Sequence, residues 1–101
     1  MALKKETRFE RELVKDLYQL LPGCYIFKLD PQQNQGIPDR LVLFRDTWFS
    51  FECKESAGAA HRPNQDIHVE VMNNMSFSTF VYPENRKEFI RAICDTFGVG
   101  G

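Results

Sequence analysis

The stretch GIPDRLVLFRDTWFSFECK, residues 36–54, decides how this chain folds. It contains two runs rich in branched and aromatic residues, at 40–44 and 47–54, with a connection of two residues between them. Runs of this composition favour β-strands, and so short a connection is typical of a β-hairpin. In an antiparallel hairpin the start of the first strand lies beside the end of the second. The sequence therefore predicts that the two ends of this stretch meet.

Side chains in the second strand of this hairpin alternate between two faces. The apolar face carries Phe49, Phe51 and Cys53. The polar face carries Ser50, Glu52 and Lys54. Glu52 and Lys54 are therefore neighbours that point the same way near the end of the strand. Taken alone, such a pair is explained by an ion pair on a solvated strand face.

Asp39 stands at the start of the first strand, and the residues before it restrict its backbone. Gly36 permits an unusual backbone angle, while Pro38 fixes its own φ and pushes Ile37 towards extended geometry. Asp39 is thus predicted to be held rigidly beside Glu52 across the hairpin. Taken alone, an aspartate at this point is explained by turn formation.

Two carboxylates that converge in this way repel each other unless a cation lies between them. Hard oxygen ligands with open coordination positions suit Mg²⁺ or Mn²⁺. A lysine beside such an ion can orient an attacking water and stabilise charge on a phosphate. The combination of Asp39, Glu52 and Lys54 therefore indicates metal-dependent phosphodiester chemistry.

Outside the hairpin, the periodicity of apolar residues predicts further helices and strands. The predicted helices are residues 4–21, 63–73 and 84–97, and the predicted strands are residues 24–29 and 77–82. Pro22 and Gly98 end helices, and Pro63 suits a first helical turn. The order is α-β-β-β-α-β-α, in which the helix between the third and fourth strands makes a crossover, so these strands are predicted to be parallel. The fold class is α/β, a mixed β-sheet flanked by helices.

The composition limits the class of protein. Residues 1–101 suffice for a single domain, and with 43% hydrophobic and 27% charged residues the chain is neither disordered nor a membrane protein by composition. The charged N-terminus lacks a signal-peptide apolar region, so a cytoplasmic location is expected. The net charge of −1 argues against a protein that coats nucleic acid, but it suits carboxylates neutralised by a metal. The three cysteines show no zinc or disulfide spacing.

The arrangement Pro-Asp, then twelve residues, then Glu-x-Lys resembles the PD-(D/E)XK nuclease superfamily. The match is closer to its VRR-NUC branch, which is found in phage proteins and in repair nucleases. Glu10 follows an apolar residue on the first helix, and Lys28 precedes the GIPD motif by eight residues. The sequence PDRLVL begins at Pro38, and Gln65 follows a proline after the third strand. The resemblance spans residues 6–89.

This resemblance implies a restriction-endonuclease-like core and a Mg²⁺-dependent endonuclease, with Mn²⁺ able to substitute. The implied metal ligands on the hairpin are Asp39, Glu52 and the backbone carbonyl of Cys53. A carboxylate of the first helix would complete the site directly or through water, with Glu10 as the first choice and Glu6 and Glu12 as alternatives. Glu6 shares the face of Glu10 at a spacing of four, whereas Glu12 is rotated by about 200° from Glu10.

The resemblance also assigns roles around the metal. Lys54 would activate or position the attacking water, and Gln65 would hold Lys54 or the phosphate. The basic residues expected to contact the DNA backbone are Lys28, Arg40 and Arg62.

One such site cuts one strand, so a homodimer that acts on branched or four-way junction DNA is expected. Residues 75–81 and the third strand offer apolar surface for that contact, although burial in the core is their more ordinary use. Two other interpretations stay open. One is a non-catalytic DNA-binding or assembly module with the same fold, and the other is a nuclease that acts on RNA.

Overall fold

The computed structural model describes residues 4–100, and its elements follow the predicted order. The helices are α1 (Lys5–Leu20), α2 (Gln65–Met75) and α3 (Arg86–Phe97). The strands are β1 (Tyr25–Lys28), β2 (Arg40–Phe44), β3 (Thr47–Cys53) and β4 (Ser78–Val81). A short 3₁₀ helix, Pro83–Asn85, leads into α3. Between residues 4 and 100, no helix combines the length and the apolar character that crossing a membrane requires.

The four strands form one mixed sheet in the order β1-β2-β3-β4. β1 pairs antiparallel with β2, β2 pairs antiparallel with β3, and β3 pairs parallel with β4. The predicted hairpin and the predicted parallel crossover are both confirmed. Arg40 lies opposite Phe51 in the hairpin, and this register places Asp39 opposite Glu52.

The hydrophobic core lies between one face of the sheet and the helices α1 and α3. Its buried members are Leu13, Leu17, Leu21, Cys24, Val42, Phe44, Phe49, Phe51, Cys53, Val81, Phe89 and Ile93. Phenylalanine rings join the layers, because the Phe49 ring centroid lies 6.2 Å from those of Phe89 and Phe97. The apolar face predicted for β3 is therefore the face that enters the core.

The opposite face of β3 is also covered, because α2 packs over β3 and β4. Ser50 is fully buried, and its hydroxyl donates a hydrogen bond of 2.7 Å to the Ser78 hydroxyl. Glu52 and Lys54 are only 4% and 6% exposed. The interpretation of these two residues as an ion pair on a solvated strand face is therefore wrong. Helix α2 leaves the outer face of β1 and β2 uncovered.

Helix α2 begins at Gln65, two residues after the proline predicted to open it. Asn64 adopts the left-handed conformation, with φ of 70°, and separates Pro63 from the helix. The loop before β2 approaches the loop before α2 closely here. A Cβ atom added to Gly36 would lie 2.6 Å from the Pro63 carbonyl oxygen. The buried residues of α2 are Gln65 and Val69. The exposed apolar residues of α2 are Ile67, Val71 and Met75.

Candidate active site

Three carboxylates meet at the end of the hairpin where β2 begins and β3 ends. Glu6 comes from the first turn of α1, Asp39 immediately precedes β2, and Glu52 belongs to β3. One carboxylate oxygen from each of these residues lies within 4.8 Å of the other two. The structure thus brings Asp39 and Glu52 together, as the hairpin register predicts. We call Glu6, Asp39 and Glu52 the acidic cluster.

Asp39 is fixed by contacts on two sides. Its backbone carbonyl accepts a hydrogen bond of 2.8 Å from the Leu29 N–H, and its Oδ2 accepts one of 3.3 Å from the Cys53 N–H. The preceding Pro38 is fully buried. Because the N–H and C=O groups of one strand residue point to the same side, the Cys53 carbonyl also faces the Asp39 side. The rigid placement predicted for Asp39 has these contacts as its physical basis.

Burial and mutual repulsion make the carboxyl groups of the acidic cluster weaker acids than usual. Burial, followed by the charge of Asp39, raises the pKa of Glu52 to about 8. Burial and the charge of Glu10 raise the pKa of Asp39, and burial and the charge of Asp39 raise the pKa of Glu6. A cation bound among these groups would act in the opposite direction, because positive charge favours the ionised form.

One oxygen of Glu52 lacks a partner. Glu52 Oε1 is buried, and nothing in residues 4–100 donates a hydrogen bond to it. A buried acceptor left in this state costs free energy. A divalent ion held among the three carboxylates would satisfy this oxygen, and carboxylate oxygens are ligands that Mg²⁺ and Mn²⁺ prefer. The residues present therefore fit such an ion.

Lys54 lies immediately after β3 and is held by two neutral oxygens. Its Nζ donates a hydrogen bond of 2.7 Å to Gln65 Oε1 and one of 3.2 Å to the Ala60 carbonyl. Gln65 Oε1 also accepts a hydrogen bond of 2.8 Å from the Arg62 N–H, which fixes the amide at the start of α2. Gln65 therefore contacts Lys54, one of the two roles that the resemblance allowed for it.

Glu10, the first choice for the helix ligand, lies outside the acidic cluster. Its Oε2 accepts a hydrogen bond of 2.6 Å from Arg40 Nε. Glu6, one turn earlier on the same face, occupies the cluster position, and Glu12 is exposed. A spacing of four identifies the face of a helix but not how far the helix is shifted along its axis relative to the sheet. The sequence therefore could not separate Glu6 from Glu10.

A cleft of about 370 Å³ opens over Asp39 and Glu52. The polar loop before β2 forms one wall with Gln32 and Gln35, and Arg62 lies on the other wall. The cleft gives a ligand direct access to the buried carboxylates. Its lining joins amides and one guanidinium to two carboxylates, so it suits a negatively charged ligand when a cation neutralises the carboxylates.

The three predicted phosphate-binding residues differ in their surroundings. Lys28 is exposed, and its charge limits the rise in the pKa of Asp39. Arg62 is exposed and acts in the same way on the pKa of Glu6. Arg40 is half-buried and paired with a carboxylate. Of these three cations, Lys28 and Arg62 are therefore the most accessible to a ligand.

A contact that the sequence did not indicate fixes the loop between β3 and α2. His61 Nδ1 lies 2.7 Å from Asp66 Oδ1, and the imidazole stacks on Phe80 with ring centroids 4.1 Å apart. The residue before His61, Ala60, supplies the carbonyl that holds Lys54. His61 thus tethers the segment that contacts the lysine.

Comparisons with known proteins identify the fold. No protein-family model matches the chain, and no curated protein matches it. A solved structure described as a VRR_NUC domain aligns with a TM-score of 0.72 and 23% sequence identity. The alignment covers 88% of this chain and 97% of that structure. The chain therefore has the fold of a VRR_NUC domain, as the sequence resemblance predicted.

Proposed function

We propose that this chain is a metal-dependent endonuclease that hydrolyses DNA phosphodiesters. The observation that carries the proposal is the unpartnered, buried Glu52 oxygen at the meeting point of three carboxylates. The likeness to a structure described as a VRR_NUC domain supports a nuclease. The all-oxygen donor set supports Mg²⁺ as the ion. The resemblance of the sequence to VRR-NUC domains supports DNA as the substrate.

Glu6, Asp39 and Glu52 are the side chains that we propose hold the divalent ion. The Cys53 carbonyl, which faces the Asp39 side, is a further oxygen ligand in this proposal. Glu10 remains a candidate for contact through water, because its charge acts on Asp39 although its carboxylate binds an arginine. When bound, Mg²⁺ or Mn²⁺ supplies Lewis-acid stabilisation of the charge that develops on the phosphate.

Lys54 is the residue that we propose orients the attacking water. An ammonium group has three protons, and Gln65 and Ala60 accept two of them. The third proton is left to donate to the water or to a phosphate oxygen, where the fixed positive charge stabilises developing negative charge. Gln65 acts as a positioning residue, because its oxygen holds the lysine.

Lys28, Arg40 and Arg62 are the residues that we propose contact the DNA backbone. Lys28 and Arg62 are supported by their exposure near the acidic cluster. Arg40 uses its Nε to bind Glu10 and keeps its terminal N–H donors for a phosphate. Contacts of this type position a nucleic acid without reading its sequence.

We propose that two copies of the domain, residues 1–101, act together on branched DNA in the cytoplasm. A two-fold pair presents two sites to two strands. The predicted contact region at 75–81 is largely taken up by the sheet, because Ser78 and Val81 are buried. The exposed side of α2 is therefore the surface that we propose for the contact. Its apolar residues are Ile67, Val71 and Met75.

The test is cleavage by the pure protein in Mg²⁺ of labelled four-way junction, flap and linear DNA, together with single-stranded RNA. Glu52→Gln removes the carboxylate charge and keeps the size of the side chain. Asp46→Asn is the matched control, because Asp46 is exposed in the turn at the opposite end of the hairpin. We expect Glu52→Gln to lose roughly 10²–10³-fold in rate, while Asp46→Asn cuts as the wild type does.

Excess chelator should abolish cleavage, and the junction should be cut faster than linear duplex. Unchanged cleavage in chelator, or in Glu52→Gln, would contradict the proposed mechanism. Cleavage of RNA but not of DNA would mean that RNA is the substrate. Binding of DNA without any cleavage by the wild type would favour the non-catalytic module.

A further inference from the structure

The outer face of β1 and β2 carries exposed aromatic side chains. Tyr25 is 64% exposed and Phe27 is 46% exposed, and Leu43, opposite Tyr25 on β2, is 40% exposed. This face is open because α2 packs over β3 and β4. Exposed aromatic rings grouped on a sheet face are unusual in a small domain and mark a binding surface.

These rings share a sheet face with the acidic cluster. Phe27 lies opposite Leu41, and Tyr25 lies opposite Leu43. Residues two apart on a strand point to the same face, so Leu41 and Leu43 follow Asp39 on that face. Directly opposite residues also share a face. The two aromatic residues therefore form a row that begins beside Asp39 and leads away from it.

The spacing of this row matches a chain of nucleotides. A strand rises about 3.4 Å per residue, so Phe27 lies about 7 Å and Tyr25 about 14 Å along the strands from Asp39. Each step is of the order of one extended nucleotide. The two rings have centroids 6.1 Å apart and planes at 61°, so each offers its own contact surface. Lys28 follows Phe27 but is paired with Arg40, so strand alternation places it on the opposite face from the two rings.

We propose that Tyr25 and Phe27, the aromatic track, bind two unpaired nucleotides of the substrate next to the phosphodiester that is cut. The proposal rests on the proposed nuclease function and deepens it, because it selects a substrate with a single-stranded segment. Aromatic rings stack on bases of any sequence, but bases within a duplex are already stacked on each other. The track therefore distinguishes flaps and splayed junction arms from continuous duplex.

A second copy of this chain is less suited than single-stranded DNA to bind this face. The row is aromatic and lies in line with the acidic cluster, as the stacking residues of a single-strand platform do. The exposed apolar residues of α2 are aliphatic or methionine and carry no such alignment. The aromatic track therefore suits bases better than it suits another protein surface.

Binding is tested by fluorescence anisotropy in Ca²⁺, which takes oxygen ligands of the same kind as Mg²⁺. The probes are a blunt duplex and the same duplex with a short single-stranded flap. The variants are the double replacement Tyr25→Ala with Phe27→Ala and the ring-retaining double replacement Tyr25→Phe with Phe27→Tyr. Lys87→Ala is the control, because Lys87 is an exposed residue on α3, which packs on the opposite face of the sheet.

The wild type should bind the flap more tightly than the blunt duplex. The double alanine variant should lose about tenfold in flap affinity per ring and keep its duplex affinity, whereas the ring-retaining and control variants should match the wild type. Unchanged flap binding by the double alanine variant, or an equal loss on both probes, would overturn the proposal. Conversion of a wild-type dimer to a monomer, with flap affinity intact, would also overturn it.

The two proposals fail separately. If the wild type binds flaps through these rings but cuts no DNA, the nuclease proposal fails, and the binding of unpaired nucleotides by the aromatic track stands without its link to cleavage. If the wild type cuts DNA but the double alanine variant binds flaps normally, the aromatic track fails and the nuclease proposal stands.

Discussion

Lys54 is a buried ammonium whose two hydrogen-bond partners are both neutral oxygens. Within residues 4–100, no carboxylate forms a salt bridge with it. Its charge is therefore not cancelled by a direct partner and acts on the acidic cluster and on a bound phosphate. We expect Lys54→Ala to lower the cleavage rate roughly 10²–10³-fold, because a positioned charge is lost from the reacting centre.

The affinity of the Lys54→Ala variant for DNA should fall much less than its rate, since one phosphate contact among several is a small part of binding. Single-turnover cleavage and anisotropy separate the two effects. Lys87→Ala is the control, because Lys87 is an exposed lysine on α3. A Lys54→Ala variant that cuts at nearly the wild-type rate would assign the chemistry elsewhere.

The raised pKa of Glu52 predicts how stability depends on pH when metal is absent. A glutamate ordinarily titrates near 4.5, whereas in the folded protein this pKa is about 8. Between these values the folded state holds a proton that the unfolded state has lost. This contribution to stability is therefore present below pH 4.5 and is lost as the pH rises through about 8, by up to about 1.4 kcal/mol per pH unit.

Urea denaturation in chelator measures this loss. Glu52→Gln should show a shallower fall in the free energy of unfolding over the same pH window, because the amide does not ionise. Added Mg²⁺ should remove the fall in the wild type. Equal pH slopes for the wild type and Glu52→Gln in chelator would mean that Glu52 is not the group responsible.

The sequence could predict the hairpin part of the site but not the helix part. Asp39 and Glu52 are brought together by strand register, which a two-residue connection fixes locally. The choice between Glu6 and Glu10 depends on the axial position of α1 against the sheet, which packing over the whole core decides. The partner of Arg40 follows from the same packing.

At the scale of elements, the loop between β3 and α2 is the segment that determines the position of Lys54. His61 fixes this loop to Asp66 at the start of α2 and to Phe80 on β4. We expect His61→Ala to lower kcat by roughly tenfold, because the Ala60 carbonyl then holds the lysine less firmly. KM should change little, since His61 does not line the cleft.

His61→Phe tests the two contacts of the imidazole separately. It retains a ring that can stack on Phe80 and removes the hydrogen bond to Asp66. If stacking is the main tether, His61→Phe should recover most of the activity that His61→Ala loses. Parallel loss of kcat and thermal stability in both variants, with no recovery, would indicate a purely structural role.

The order of elements and the strand pairing could be predicted because they follow local patterns. The start of α2 could not be predicted in this way, because Asn64 takes a left-handed conformation where Gly36 and Pro63, from two different loops, come together. That approach joins residues far apart in sequence. For the same reason, the cover that α2 provides over the polar face of β3 was not visible in the alternation of β3 itself.

At the scale of the whole molecule, the exposed side of α2 governs the predicted assembly. Light scattering at micromolar concentration should give about twice the 11.8 kDa mass of one chain. Val71→Glu should shift the protein to the monomer, because a charge buried in an apolar contact is costly. Lys87→Glu, at an exposed position of α3, should leave the mass unchanged. A wild-type monomer at every concentration, with equal cleavage of junction and linear duplex, would contradict the dimer.

Calorimetric titration of the protein with Mn²⁺ measures whether Glu6, Asp39 and Glu52 together hold a divalent ion. We expect saturable binding by the wild type and by Glu12→Ala, whose carboxylate is exposed on the same helix as Glu6, and loss of binding in Asp39→Ala. Equal Mn²⁺ binding by the wild type and Asp39→Ala, or no binding by the wild type, would show that these three carboxylates do not form a metal site.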